Sequence, residues 1–163
     1  MTRAVFPGSF DPMTNGHLEI LGRVAPLFEE VRVAVLNNPD KRPLFSVEER
    51  MALMREVVRP WPNVRVDAFS GLLVDYVRRE GADVILRGLR SAMDFEAEMQ
   101  MALMNRHLYG GAVTLFVPTA PEYAFVSSSL VKQVAAGGGA LEGLVPPPVA
   151  SALTEKFQTR GRE

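Results

Sequence analysis

Gly8-Ser9-Phe10-Asp11-Pro12-Met13-Thr14-Asn15-Gly16-His17 follows the apolar run Ala4-Val5-Phe6 and leads straight into a segment of helical period. A dense group of Gly, Asp, Pro and Asn between a β-branched run and a helix marks a tight strand-to-helix turn. At its end stands one of the two histidines in the chain. Working outward, the same alternation repeats. Strands are expected at Arg3 to Phe6, Val31 to Leu36, Val64 to Phe69, Asp83 to Leu86 and Val113 to Val117. Between them, His17, Leu18, Leu21, Val24 and Phe28 share a helical face, as do Val47, Met51, Met54 and Val58. Leu73 to Arg79 and Phe95 to Leu108 supply two further helices. Regular β-α order with right-handed crossovers predicts an α/β fold, a Rossmann-like three-layer sandwich on a five-stranded parallel sheet. Ligands of such sheets bind at the carboxyl ends of the strands, so the chemistry belongs in the turns.

Composition narrows the class of protein. A chain of 163 residues fits one domain and can bury a core without staples. It contains no cysteine, which excludes disulfides, thiolate catalysis and Cys-ligated zinc. A net charge of −1 and the lack of a basic block argue against nucleic acid as a partner. No apolar run approaches the ~20 residues of a spanning helix and no signal-peptide core precedes Gly8, so a cytoplasmic protein without membrane association is expected. Gly137-Gly138-Gly139 reads as a surface loop after a short helix. Pro146-Pro147-Pro148 opens a final helix, at about 146–160, with Val149, Leu153 and Phe157 on one face.

Neither the G-x-G-x-x-G nor the G-x-x-x-x-G-K-[ST] phosphate fingerprint occurs. In the first turn, Gly8 and Gly16 allow close backbone approach, Ser9 offers a hydroxyl, and Asn15-Gly16 sets His17 in the first helical turn. An imidazole beside free N–H groups at a positive helix end suits an anion, although capping or packing by His17 explains the same residues as well. Arg87-Gly88-Leu89-Arg90 follows the fourth strand. Guanidinium groups there can hold phosphate, or can bridge to Asp94 or Glu96. Ser127-Ser128-Ser129, at a helix start after the fifth strand, can cap that helix or receive a second anionic group. Lys41 sits in the turn after the second strand, where a lone lysine is usually just solvated. Four turns on one sheet edge thus carry phosphate-suited groups, with no nucleophile-base pair and no acidic metal cage. Such a site positions reactants and neutralises charge, as in phosphoryl or nucleotidyl transfer.

Gly8-Ser9-Phe10-Asp11-Pro12 with Thr14-Asn15-Gly16-His17, Arg87-Gly88-Leu89-Arg90 with Asp94-Phe95-Glu96 and Glu98, and Ser127-Ser128-Ser129-Leu130-Val131-Lys132 together resemble the bacterial phosphopantetheine adenylyltransferase family. The likeness covers nearly the whole chain, read as a single nucleotidyltransferase domain over residues 1–163. It implies that ATP and 4′-phosphopantetheine give dephospho-coenzyme A and pyrophosphate with Mg²⁺ assisting, in a homohexamer, with feedback binding of coenzyme A. By the same resemblance His17 stabilises the transition state, with Lys41 and Arg90 as further catalytic groups. Ser9, Phe10, His17, Gly88, Leu89, Arg90, Glu98 and the segment Tyr123, Ala124, Phe125, Val126, Ser127, Ser128, Ser129 would bind ATP. Ser9, Lys41, Leu73 and Arg87 would bind the acceptor, and Mg²⁺ would be held through phosphates and water. Thr14 replaces the first histidine of the superfamily's H-x-G-H signature, which separates this branch from enzymes using other acceptors. Ser9 stands where many members have threonine, Tyr123 where an indole is common, and Ala97 where a larger aromatic can occur. Two alternatives remain open: an acceptor such as nicotinamide mononucleotide or a polyol phosphate, and a module that senses ATP without turnover. Met93, Met99, Met101 and Met104 read as core or subunit-contact filler, with Leu108 beside them.

Overall fold

A computed structural model describes residues 2–161. Five parallel strands, β1 (Arg3–Gly8), β2 (Glu30–Leu36), β3 (Val64–Phe69), β4 (Val84–Leu89) and β5 (Val113–Pro118), form one sheet in the order β3-β2-β1-β4-β5. The helices are α1 (Asn15–Val24), α2 (Val47–Val57), α3 (Leu73–Glu80), α4 (Ala92–Leu108), α5 (Ser128–Ala136) and α6 (Pro147–Arg160). The expected α/β sandwich is therefore present. No helix among the described residues is long and apolar enough to cross a membrane.

Alternation along the strands builds two cores. Ala4, Phe6, Val31, Val33, Val35 and Leu86 face Ile20, Leu21 and Val24 of α1 and Met54 of α2. On the other face Val5, Ala34 and Ile85 meet Tyr76 and Val77 of α3. A third cluster joins Leu44 and Phe45, ahead of α2, to Val131 of α5 and to Val149 and Leu153 of α6. The expected face of the final helix is thus buried, with Phe157 packed at its margin.

The differences from expectation have local causes. Helix α1 stops at Val24 because Pro26 lacks the N–H that would continue it; Ala25–Leu27 form a 3₁₀ turn and Phe28 is extended, though still packed on the core. Val58 caps α2 rather than extending it. Ser91 caps α4 at Asp94, so that helix begins at Ala92, ahead of Phe95. Strands β1 and β4 run past Phe6 and Leu86. Their outer neighbours hold them, Pro7 and Gly8 lying opposite Ala34 and Val35, and Gly88 and Leu89 opposite Val117 and Pro118.

Toward each other β1 and β4 pair only at Ala4–Val84 and Val5–Ile85. Pro7 has no N–H to offer a ladder at this point. The two strands that stop pairing are also those between which the strand order reverses, the place where open α/β sheets form a crevice.

Gly88 borders this crevice, and a Cβ built there would lie 2.7 Å from Ile20 Cδ1 of α1. Because Cδ1 is the movable end of its side chain, Gly88→Ala is expected to lower unfolding stability by about 1 kcal/mol, the low end of overpacking costs. Adding Ile20→Val, which removes Cδ1, should return part of the loss. Denaturant unfolding of both variants checks this, and an unchanged midpoint for Gly88→Ala would refute the contact.

Candidate active site

The crevice opens into a cleft of about 330 Å³, lined by Gly8, Ser9, Phe10 and His17 from the first turn, Arg87, Gly88 and Arg90 from β4 and its turn, Glu98 from α4, and Val126 to Ser129 before and within α5. These expected residues, drawn from positions as distant as 8 and 129, are brought to one edge by the sheet. Lys41 lies in an adjoining cleft of about 220 Å³ that shares Ser9, Ser128 and Ser129 with the first. Leu73, at the start of α3 beyond β3, lines neither cleft, nor do Leu89, Tyr123, Ala124 and Phe125. Tyr123 instead packs close to Gly16 at the start of α1.

His17 is the third residue of α1, and Thr14 is its N-cap. The Thr14 backbone N–H donates to His17 Nδ1 over 3.0 Å, and Thr14 Oγ1 lies 3.2 Å from the same nitrogen. A capping box normally uses Glu or Gln at this place; here an imidazole nitrogen takes that role. Both readings of His17, as a cap and as a cleft residue, hold together. Because a backbone amide can only donate, Nδ1 must be unprotonated in the neutral ring and the proton sits on Nε2. The ring rests against Phe10, with centroids 5.0 Å apart, and near Phe6. Burial, then the charges of Arg90 and Arg87, lower its pKa from 6.5 to about 4. His17 is thus a neutral hydrogen-bond donor at physiological pH. With Nδ1 occupied and Nε2 protonated it has no lone pair free to act as a base.

The free N–H groups expected at this helix end are fewer than the turn suggested. Asn15 N donates to Leu144 O and His17 N to Thr14 Oγ1, leaving that of Gly16 among the described residues. The start of α5 is more open. Ser127 Oγ accepts from Leu130 N and Ser128 Oγ donates to Pro12 O, so the amides of Ser128 and Ser129 remain for an anion.

Both arginines line the cleft and both are paired with carboxylates, Arg90 with one of the two partners considered and Arg87 with neither. Arg87, inside β4 rather than after it, forms a bidentate pair with Glu98, at 2.7 Å from Nε and 2.6 Å from Nη2, and its Nη1 donates to Pro7 O. That last bond bridges the gap where β1 and β4 no longer pair. Arg90 pairs with Asp94 at 3.5 Å. Glu96, the other carboxylate considered, is partner to neither arginine.

Three residues at the site lay outside the sequence expectations. Asp11, 5% exposed, accepts from Leu44 N and Phe45 N at 2.9 Å each and from Lys132 Nζ at 3.0 Å. Arg50, in α2, donates to Ser9 O over 2.7 Å. Asp11 and Lys132 stand within the quoted motifs, where Asp11 reads as a turn residue and Lys132 has no role of its own. Arg50 carries no local signal, because its partner lies 41 residues away.

Long-range ¹H–¹⁵N correlation, with His107→Gln to assign the two rings, is expected to show the Nε2–H tautomer for His17 and titration near pH 4. The lowered pKa also sets a sign for stability: this ring disfavours nothing above its ordinary 6.5 and costs native stability as pH falls from there toward about 4. A His17 ring that is protonated at neutral pH would overturn the donor assignment.

Residues 5–134 match the model of a family described as cytidylyltransferase-like. The phosphopantetheine adenylyltransferase of Heliobacterium modesticaldum is 53% identical over 157 residues, covering 96% of this chain and 94% of that protein. That of Carboxydothermus hydrogenoformans is 52% identical over 161 residues, covering 99% of each. Among solved structures, "a Putative Nicotinate-nucleotide Adenylyltransferase from Vibrio parahaemolyticus" has the same fold, with a TM-score of 0.68 at 14% identity, covering 99% of this chain and 94% of that one. With half its residues shared with two full-length relatives and the motif-bearing turns gathered on one sheet edge, the chain belongs to the phosphopantetheine adenylyltransferase family of cytidylyltransferase-like proteins.

Proposed function

We propose that the chain transfers the adenylyl group of ATP to 4′-phosphopantetheine, giving dephospho-coenzyme A and pyrophosphate by direct in-line displacement. The observation that carries this is the convergence on one cleft of a neutral imidazole N–H, two guanidinium groups and the open start of α5. Full-length likeness to proteins named for that activity supports the choice of acceptor.

A phosphate monoester has a second pKa of about 6, so at neutral pH the acceptor is already an ionised nucleophile and needs no general base. This suits a histidine that can only donate. As the acceptor oxygen attacks the α-phosphorus, His17 Nε2–H meets the charge growing on the α-phosphate oxygens. Arg90 and the amides of Ser128 and Ser129 meet the departing pyrophosphate. Lys41 and Ser9 hold the acceptor phosphate in the adjoining cleft. Arg87, with Leu73 farther along the edge, is assigned to the pantetheine, and Phe10, Gly88, Leu89, Glu98 and Tyr123 to Val126 to the nucleotide.

We assign Mg²⁺ to the phosphates of ATP. The two carboxylates lining the main cleft, Asp94 and Glu98, are engaged by Arg90 and Arg87, and no cluster of three candidate ligands occurs among the described residues. The ion therefore fits as a passenger on phosphate oxygens and water, where it would supply charge neutralisation. Coenzyme A contains the adenylyl and pantetheine parts of the product, so feedback by it at this site belongs to the same proposal, as does a cytoplasmic place of work.

A homohexamer is also proposed. Helix α4 has no buried residue in the single chain, and Met101, Leu103, Met104 and Leu108 on it are exposed, as are Val113 and Leu115 of edge strand β5. An apolar face of this extent calls for a protein partner, and a second copy fits the family resemblance.

His17→Ala is expected to lower turnover on the order of 10²-fold or more while changing the KM for ATP little; near-normal turnover would refute the role of His17. Pyrophosphate release with ATP, Mg²⁺ and a panel of acceptors should require 4′-phosphopantetheine. Release without acceptor, or with nicotinamide mononucleotide alone, would overturn the function. Sedimentation equilibrium should return six times the 17.9 kDa chain mass, and Met104→Glu should reduce it. A monomeric wild type would refute the hexamer.

A further inference from the structure

The smaller cleft holds more charge than the acceptor site described above uses. It is lined by Lys41, Arg42, Arg50 and Lys132 against a single carboxylate, Asp11. Four cations around one carboxylate leave the space strongly positive, and two of them, Arg50 and Lys132, are held by protein partners.

Arg50 is 4% exposed and forms no ion pair among the described residues. Its Nη1 donates to Ser9 O and its Nε to Ser46 O at 3.3 Å, while its Nη2 has no protein acceptor among the described residues. Burial lowers its pKa and the charge of Asp11 opposes that. A guanidinium with carbonyl partners alone, at the wall of a cleft, is short of negative charge.

Lys132 is held in place from below. Asp11 binds its ammonium at 3.0 Å while the same carboxylate takes the amides of Leu44 and Phe45, the residues that end the Lys41-bearing loop. One ammonium proton is used by Asp11, which leaves two for a ligand. Lys132 lies one helical turn beyond Ser128 and Ser129, which line both clefts. A phosphate reaching from the smaller cleft toward the α-phosphate must pass this point.

We infer that Lys132 is a second phosphate-contacting cation of the acceptor site, positioned by Asp11, with Arg50 as a fixed buried charge beneath the same phosphate. This rests on the proposed acceptor. The alternative is that Lys132 serves merely as the counter-ion that keeps Asp11 ionised in its buried clamp.

The chain has three lysines, at 41, 132 and 156, so ¹⁵N spectra of the side-chain ammonium groups are readily assigned. In the full-length wild type, 4′-phosphopantetheine is expected to shift the Lys41 and Lys132 signals, and pantetheine, which lacks the phosphate, to leave both in place. Calorimetric titration adds a second measurement. Lys132→Gln should weaken 4′-phosphopantetheine by roughly 10-fold or more, as loss of a charge-assisted hydrogen bond does, without changing the affinity for pantetheine. Lys132→Arg should retain most of the preference for the phosphorylated ligand. A Lys132 signal that ignores the phosphate while Lys41 responds, or equal weakening of both ligands in Lys132→Gln, would overturn the inference alone. If Lys41 also fails to respond, the acceptor proposal falls with it. The wild-type spectra decide the matter even if Lys132→Gln does not fold.

Discussion

Everything at the site follows from the place where β1 and β4 stop pairing. Central parallel strands ordinarily stay bonded along their length, because an unpaired buried amide or carbonyl is costly. Here the ladder ends after Val5 and Ile85. Pro7 has no amide to leave unsatisfied, and its carbonyl is taken up by Arg87. At Pro7 the gap therefore opens without an orphaned amide or carbonyl, and the side chain that closes it also brings charge into the crevice. Each strand stays anchored on its far side, β1 to β2 and β4 to β5, so the opening is framed by paired backbone.

Around that gap, Asp11 organises what the sheet cannot reach. Its carboxylate ties the end of the loop carrying Lys41 and the middle of α5 to the turn after β1. Ser128 Oγ on Pro12 O and Arg50 on Ser9 O add two further ties to the same few residues. Removing one partner of a buried charged cluster typically costs ~3–5 kcal/mol. In this chain the larger consequence would be positional, since the groups so tied belong to three separate elements of the edge. Effects of small misplacement on transfer reactions are steep.

The sequence made the alternation of strands and helices legible, and with it the edge on which the chemistry lies, because β-branched runs and turn residues speak locally. It also made legible which turns carry phosphate-suited side chains. What it hid was pairing over distance. The strands expected to end at Phe6 and Leu86 run on through Pro7 and Gly88, held by neighbours supplied from elsewhere in the chain. Thr14 reads as a marker of acceptor choice, while in the fold its amide and hydroxyl both turn to His17. The tautomer of His17 follows from that one contact. Spacing alone could place the ring in the first turn of a helix but could not say which nitrogen would face the cleft.

These pairings also explain why the ring is better neutral. Arg87 is balanced by Glu98, Arg90 by Asp94 and Lys132 by Asp11. Each cation is thereby held at its post without a ligand, its charge offset by a carboxylate. An imidazolium added beside Arg87 and Arg90 would bring like charge with no carboxylate of its own, which is why their charges, together with burial, push its pKa down. In the proposed role a neutral N–H would contribute direction where charge grows, and it adds no repulsion to the arginines beside it. The guanidinium groups are consequently open only to anions that can compete with the carboxylates already paired to them. The polyphosphate and the phosphate monoester of the proposed reaction carry the charge to compete on those terms.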